Sequence, residues 1–116
     1  MYYSEIRSFS TDASKIAKNI GANPDDIQKI KEYLFFNDDF IPDCAIAQSW
    51  QRLMLNKNIQ KHDRTLINHE LYEMKIKKDN PDIEHYKAHE IATGKYNYQK
   101  EATEYYGNIN KNRKDK

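Results

Sequence analysis

All three prolines of this chain stand where a helix is expected to begin, and that placement constrains the fold more than any other feature. Asn23-Pro24-Asp25-Asp26 supplies a capping side chain, a residue with φ preset for the first turn, and two acids that complement the positive end of the helix dipole. Asn80-Pro81-Asp82 repeats that arrangement, and Ile41-Pro42-Asp43 opens another helix after a break at Asp38-Asp39-Phe40. Between these starts the apolar residues recur at helical spacing. Ile27, Ile30, Leu34 and Phe35 form one stripe, and Ala45, Ile46, Trp50, Leu53 and Met54 form another that ends near Leu55.

The remaining elements follow from the same signals. A short helix over residues 11–20 closes at Gly21, Asp63 is placed to cap a helix over 64–78, a helix from Asn80 ends near Gly94, and Asn97 caps a last one reaching Tyr106. No segment alternates with period two for long enough to predict a strand. The expected fold is all-α, a bundle of five or six short helices. Residues 1–10 read as an N-terminal arm, 11–106 as a single helical domain and 107–116 as a basic, disordered tail.

A net charge of +1 gives no global pull toward nucleic acid or membrane, and no apolar run approaches the ~18 residues of a membrane span. With 32% charged and 38% hydrophobic residues the chain is polar, yet its 12% aromatics are too many for a disordered one. No signal peptide follows Met1, so a soluble chain is expected. Its lone cysteine, Cys44, excludes an internal disulfide and a cysteine-based zinc site, and its apolar neighbours predict a small core residue. Residues 13–36 have the lengths of a helix-turn-helix, but Asp25 and Asp26 at the head of the second helix would repel phosphates. A helical hairpin feeding the core is expected there.

The chemistry-bearing residues gather between Trp50 and Tyr98. His69 and Glu73 share one helix face, Glu70 borders it, and Leu66, Ile67, Leu71 and Met74 form the apolar stripe. On the next helix His85 and His89 are also four apart, while Ile83, Tyr86 and Ile91 are expected to pack. His69-Glu70 begins like a His-Glu-x-x-His zinc motif, but Glu73 stands where the second histidine belongs, and it is read as a helix-face partner of His69. Metal-free acid–base chemistry is the alternative: histidines and Glu70 exchange protons, with a cation to steady the transition state, as RNA strand cleavage requires. Arg64 and His69 also have the Arg-x4-His spacing of helical, metal-independent HEPN ribonucleases. The bland alternative is a set of solvated histidines on helix faces.

Taken together, Ser49-Trp50-Gln51-Arg52-Leu53, His62-Asp63, His69-Glu70, Ala88-His89 and Tyr96-Asn97-Tyr98 resemble a small helical domain of phage head-morphogenesis (minor head) proteins and of bacterial polymorphic-toxin tips. That resemblance implies a toxin or effector domain and marks Trp50, Arg52, Asp63, His69, Glu70, His89, Tyr96 and Tyr98. The leading expectation is a metal-independent ribonuclease acting in a target-cell cytoplasm. His69, Glu70, His89 and Arg52 are its catalytic candidates, and Arg64, Tyr96, Tyr98 and Trp50 its substrate-binding ones. No metal or cofactor is expected; RNA and a cognate immunity protein are the expected partners, and a membrane is not. Two alternatives are a non-enzymatic phage or mobile-element module that binds a protein, and a metal-dependent hydrolase using His69, His85, His89 and a carboxylate.

Overall fold

Most of the capping signals can be followed into a helix. A computed structural model describes residues 2–37 and 42–114, with side chains through 109. It contains α1 (Tyr3–Ser8), α2 (Asp12–Ile20), α3 (Pro24–Phe35), α4 (Cys44–Leu55), α5 (Lys61–Asp79), α6 (His85–Lys95) and α7 (Tyr98–Lys114). The described residues hold seven helices and no strand, so the fold is all-α with more helices than expected. No described helix is long and apolar enough to cross a membrane.

Asn23 caps α3 through its side chain, which accepts from the Asp25 backbone N–H at 2.8 Å, and Asp43 does the same for α4 through Ala45. Gly21 ends α2 at φ +70°, a left-handed position where a side chain would be strained. α2 and α3 form the expected hairpin, with Ile16, Ile27, Ile30 and Leu34 buried. The predicted break over Asp38-Asp39-Phe40 and the residue Ile41 lie outside the described residues.

Four expectations change. The N-terminal arm contains α1, whose Ile6 is fully buried and whose Tyr3 ring packs edge-on against Phe35 at 4.7 Å. Cys44 is exposed, because it occupies the first turn of α4, before the buried face of Ala47, Trp50 and Leu53 begins. Asn80 closes α5 rather than opening α6: its backbone N–H and its side-chain amide both donate to the Ile76 carbonyl, at 2.9 and 3.2 Å. Pro81 then lies in a turn, and α6 begins at His85. Finally, α7 runs through Gly107 to Lys114, so the expected tail is helical up to there. A helical glycine costs about 1 kcal/mol and does not by itself stop a helix. Asp115 and Lys116 lie outside the described residues.

The core centres on Trp50, fully buried and edge-on to Phe35 at 5.1 Å. Beside it lies a polar cluster. Lys31 Nζ donates to Asp12 Oδ1 at 2.8 Å and to the Phe9 carbonyl at 2.7 Å, and Trp50 Nε1 donates to Asp12 Oδ2 at 2.9 Å. One cation and one anion meet here, and each carboxylate oxygen is satisfied. This cluster ties α2, α3 and α4 together.

α5 runs through the middle and packs against α3, α4, α6 and α7. Being enclosed by neighbours, it buries His62, Asp63, His69, Glu70 and Glu73 besides Leu66 and Ile67. Burying ionisable groups is costly unless each is paired. α6 approaches α5 through Ala88 and Ala92, both fully buried, whereas the expected packers Tyr86 and Ile91 are 60% and 47% exposed. Small residues at this seam let the two backbones come close, and that closeness positions the site.

Candidate functional site

His69, one turn before Glu73 on α5, meets His89 from α6 in a tight triangle. His69 Nε2 lies 3.2 Å from Glu73 Oε2 and 3.3 Å from His89 Nδ1, and His89 Nδ1 lies 3.4 Å from Glu73 Oε2. The two imidazole rings are 4.9 Å apart. His69 and Glu73 are buried, while the His89 side chain is 58% exposed, so the triangle is open on its α6 side.

The other nitrogen of His69 decides its protonation. Nδ1 lies 3.1 Å from the Tyr96 carbonyl, which can only accept, so Nδ1 carries the hydrogen. Nε2 faces the Glu73 carboxylate, to which it donates when the ring is protonated. Burial alone would hold His69 down, but the Glu73 hydrogen bond, the Tyr96 carbonyl and the nearby carboxylates together raise its pKa above the ordinary histidine value. Burial alone would raise Glu73; the nearby His69 and Lys77, as cations, outweigh it and bring its carboxyl to about 2. Glu70 goes the opposite way, pushed up to about 7 by burial and by the neighbouring charge of Glu73. Adjacent carboxylates thus hold opposite tendencies, an arrangement common where protons are moved.

Glu70 also lines three cavities. One of about 250 Å³ lies against Tyr3, Tyr33, Ile46 and His89; a second of about 190 Å³ against His69, His89, Asn97 and Tyr98; a third of about 150 Å³ against Tyr33, Glu73 and Lys77. Glu70 therefore shares cavity walls with His69, Glu73 and His89.

A flanking relay holds the far side of Glu73. Lys77 Nζ faces Glu73 Oε1 at 3.2 Å, an ion pair rather than an aligned hydrogen bond. Lys77 donates to His85 Nδ1 at 2.7 Å, which leaves the hydrogen of neutral His85 on Nε2, 2.8 Å from the Tyr33 hydroxyl. Burial and the charges of Glu73 and Glu70 raise the Tyr33 pKa and keep its proton in place. Both nitrogens of His85 are thus engaged outside the triangle.

Not every expected residue joins this centre. Arg52 grips Asp63 with two bonds, Nε to Oδ2 and Nη2 to Oδ1, both 2.7 Å, and its Nη2 also reaches His62 Nε2 at 3.0 Å. Asp63 is fully buried and is not the cap of α5. It is the third residue of the helix, and its carboxylate turns back to accept from the Gln60 N–H at 2.8 Å. Arg52 is therefore committed to a structural pair, and its contacts bypass His69, Glu70, Glu73 and His89. Trp50 has no exposed surface to offer a substrate, because its ring fills the core. Tyr98 is also buried, 2.9 Å from Ser49 Oγ through its hydroxyl, although it borders the second cavity. Tyr96 reaches the site through its backbone; its half-buried ring meets Tyr72 edge-on at 5.9 Å, with Lys95 Nζ over both. Arg64 is exposed on α5.

Sequence reasoning missed Glu73 as the hub and missed Tyr33 and Lys77 altogether. The spacing of Glu73 and Lys77 on α5 was a usable signal; Tyr33, on α3, carries none toward α6. No family model matches the chain, and neither a curated protein nor a solved structure matches it.

Proposed function

We propose that the chain is a hydrolase whose centre lies between α5 and α6, with Glu70 as the proton carrier. The observation that supports this reading is the convergence of His69, Glu73 and His89, three donor atoms 3.2 to 3.4 Å apart, at the edge of cavities that Glu70 also lines. Such an electron-rich cluster holds a cation, at minimum a proton on His69, beside the entering substrate. That cation polarises the carbonyl or phosphoryl oxygen under attack. Water gives a proton to the Glu70 carboxylate as its oxygen bonds to the electrophilic atom; the scissile bond breaks, and Glu70 returns the proton to the leaving group. Tyr33 and Lys77 steady Glu73 rather than touch substrate.

This reading keeps His69, Glu70 and His89 from the expected ribonuclease and sets Arg52 aside. It also departs from the pairing of His69 and His89 as acid and base across one phosphorus. An acid and a base for RNA cleavage must stand on opposite sides of one phosphorus, and nitrogens 3.3 Å apart aimed at one carboxylate leave no room between them. An effector role, with an immunity protein covering the open side at His89, belongs to the same proposal and draws on the resemblance described above.

The test is turnover by the purified chain against RNA and protein substrates, beside growth after cytosolic expression. Glu70→Gln keeps shape and removes the proton acceptor, so it should lower turnover by about 10²–10⁴-fold and abolish growth arrest while leaving the melting temperature near wild type. Full activity in a folded Glu70→Gln variant would sink the reading.

A further inference from the structure

We infer that His69 Nε2, Glu73 Oε2 and His89 Nδ1 are the protein ligands of a single divalent metal site of the zinc type, with an open fourth position facing the cavities lined by Glu70. The inference deepens the hydrolase reading and rests on it for the role of Glu70, but the binding itself is argued from geometry alone.

The triangle has the dimensions of a tetrahedral face. Donors about 2.0–2.1 Å from a tetrahedral zinc stand about 3.3–3.4 Å from one another. The three edges measured here are 3.2, 3.3 and 3.4 Å. They sit at or beyond the long end of ordinary hydrogen bonds, which cluster near 2.9–3.0 Å for nitrogen donors. Each residue contributes one ligand atom, and no other group of three or more such side chains converges among the described residues.

The orientation of the His69 ring points the same way. The Tyr96 carbonyl holds a hydrogen on His69 Nδ1, so Nε2 is the nitrogen available to a metal. Glu73 Oε2 and His89 Nδ1 face the same point. Three ligand-type atoms thus face one point. A histidine ligand whose far N–H donates to a backbone carbonyl is the usual outer-shell arrangement around zinc, because it sets the tautomer and aims the ring. Lys77 and His85 occupy the Oε1 side of Glu73, leaving Oε2 as a single-point ligand.

Ligand identity and order are also coherent. Two histidines and one glutamate make a recognised catalytic zinc set, and three protein ligands leave a position for water. In His-Glu-x-x-His sites the helix supplies ligands one turn apart, and the glutamate after the first ligand is the base. Here α5 supplies His69 and Glu73 one turn apart, Glu70 follows the first ligand, and α6 returns the second histidine as His89. The glutamate that broke the motif in the sequence takes a ligand's place in the structure. His85, half exposed with both nitrogens engaged by Lys77 and Tyr33, is not a ligand.

The test is zinc binding by the full chain, stripped with chelator and titrated with zinc ion alone, with stoichiometry read by elemental analysis. Cobalt substitution reports coordination through the visible absorption of a tetrahedral site. One zinc per chain is expected, with affinity lowered more than about 100-fold in His89→Ala. His89 is exposed enough that this variant should fold, and matching circular dichroism and melting curves verify that. His85→Ala should bind within a few-fold of wild type. Absence of zinc binding by the folded wild-type chain, or wild-type affinity in His89→Ala, overturns the site. Because binding is read without turnover, zinc bound by a hydrolytically silent chain would refute the hydrolase reading and leave the site standing. Chelator-resistant hydrolysis by a chain that binds no zinc would do the reverse.

Discussion

Two of the buried polar clusters among the described residues differ in how their charges balance. Around Trp50, Lys31 meets Asp12, every donor finds an acceptor, and both ionic side chains are at most 3% exposed. Between α5 and α6, His69, Glu73 and His89 bring two imidazole nitrogens and a carboxylate oxygen to one point and leave one histidine open to solvent. The first cluster is complete as it stands and serves the fold. The second is complete only with a cation, and it borders space for a ligand. Burial alone would not separate them, since His69, Glu70 and Glu73 are all nearly as hidden as Asp12.

The comparison predicts that mutations divide by what they damage. At the closed cluster, Lys31→Met leaves Asp12 buried and unpaired and should cost about 3–5 kcal/mol of stability, read by denaturant unfolding. Truncating Trp50 to Ala should cost a similar ~3–5 kcal/mol through the cavity it leaves. The Arg52–Asp63 pair belongs with this region: Arg52→Ala should lower stability by roughly 1.5–3 kcal/mol, the range for lost hydrogen bonds to a charged group. Turnover should fall only as far as the folded fraction does. At the open cluster the pattern inverts. His89→Ala should change stability by no more than about 0.5 kcal/mol, as for exposed positions, while abolishing function. A loss of several kcal/mol in His89→Ala, or lost chemistry in a still-folded Arg52→Ala, would erase the distinction.

A smaller effect concerns His62, on the structural side. Its Nε2 faces the Arg52 guanidinium, so it must accept, and Tyr98, Tyr105 and Tyr106 surround the ring. Burial lowers its pKa below the ordinary histidine value, and Arg52 adds to this against the opposing pull of Asp63 and Glu101. The folded state therefore resists a proton that the unfolded chain accepts. Stability held above the unfolded histidine pKa of about 6.5 should decline as the pH falls from there through the lower folded value. His62→Gln should flatten that part of the stability–pH curve, and an unchanged slope would count against a neutral His62.

Much of this fold was legible because helix starts depend on local chemistry. Asn23 and Asp43 cap neighbours within their own segment, and the apolar stripe of α3 is visible in the chain itself. Asn80 misled because the same side chain serves equally well one residue past a helix, where it bonds back to Ile76. Asp63 misled similarly, since a carboxylate can cap from the third helical position as well as from the cap itself. α6 hid its packing face in Ala88 and Ala92, whose burial follows from proximity to α5 rather than from hydropathy.

The site was half legible for a related reason. Helical spacing put His69 with Glu73 and His85 with His89, and a short connection between the helices brought the pairs together. Which members meet depends on the rotation and offset of α6 against α5, and tertiary packing sets both. Hence His85 turns to Tyr33 and Lys77, His89 turns inward, and Glu73 becomes the hub. Arg52 looked catalytic because a lone arginine near histidines suits a phosphate. Its partner, Asp63, lies 11 residues ahead on another helix.

The central claim, that the α5–α6 triangle is an electron-rich centre rather than a closed ion pair, is tested most directly by nitrogen-15 NMR of the histidine rings. The measurement is made at mildly alkaline pH with and without one equivalent of zinc. The account predicts that His69 keeps its hydrogen on Nδ1, and that Nε2 resonances of His69 and Nδ1 resonances of His89 move on zinc addition while those of His62 and His85 stay in place. His69 and His89 rings indifferent to zinc would contradict it, and would make the triangle a second structural cluster like that of Asp12 and Lys31.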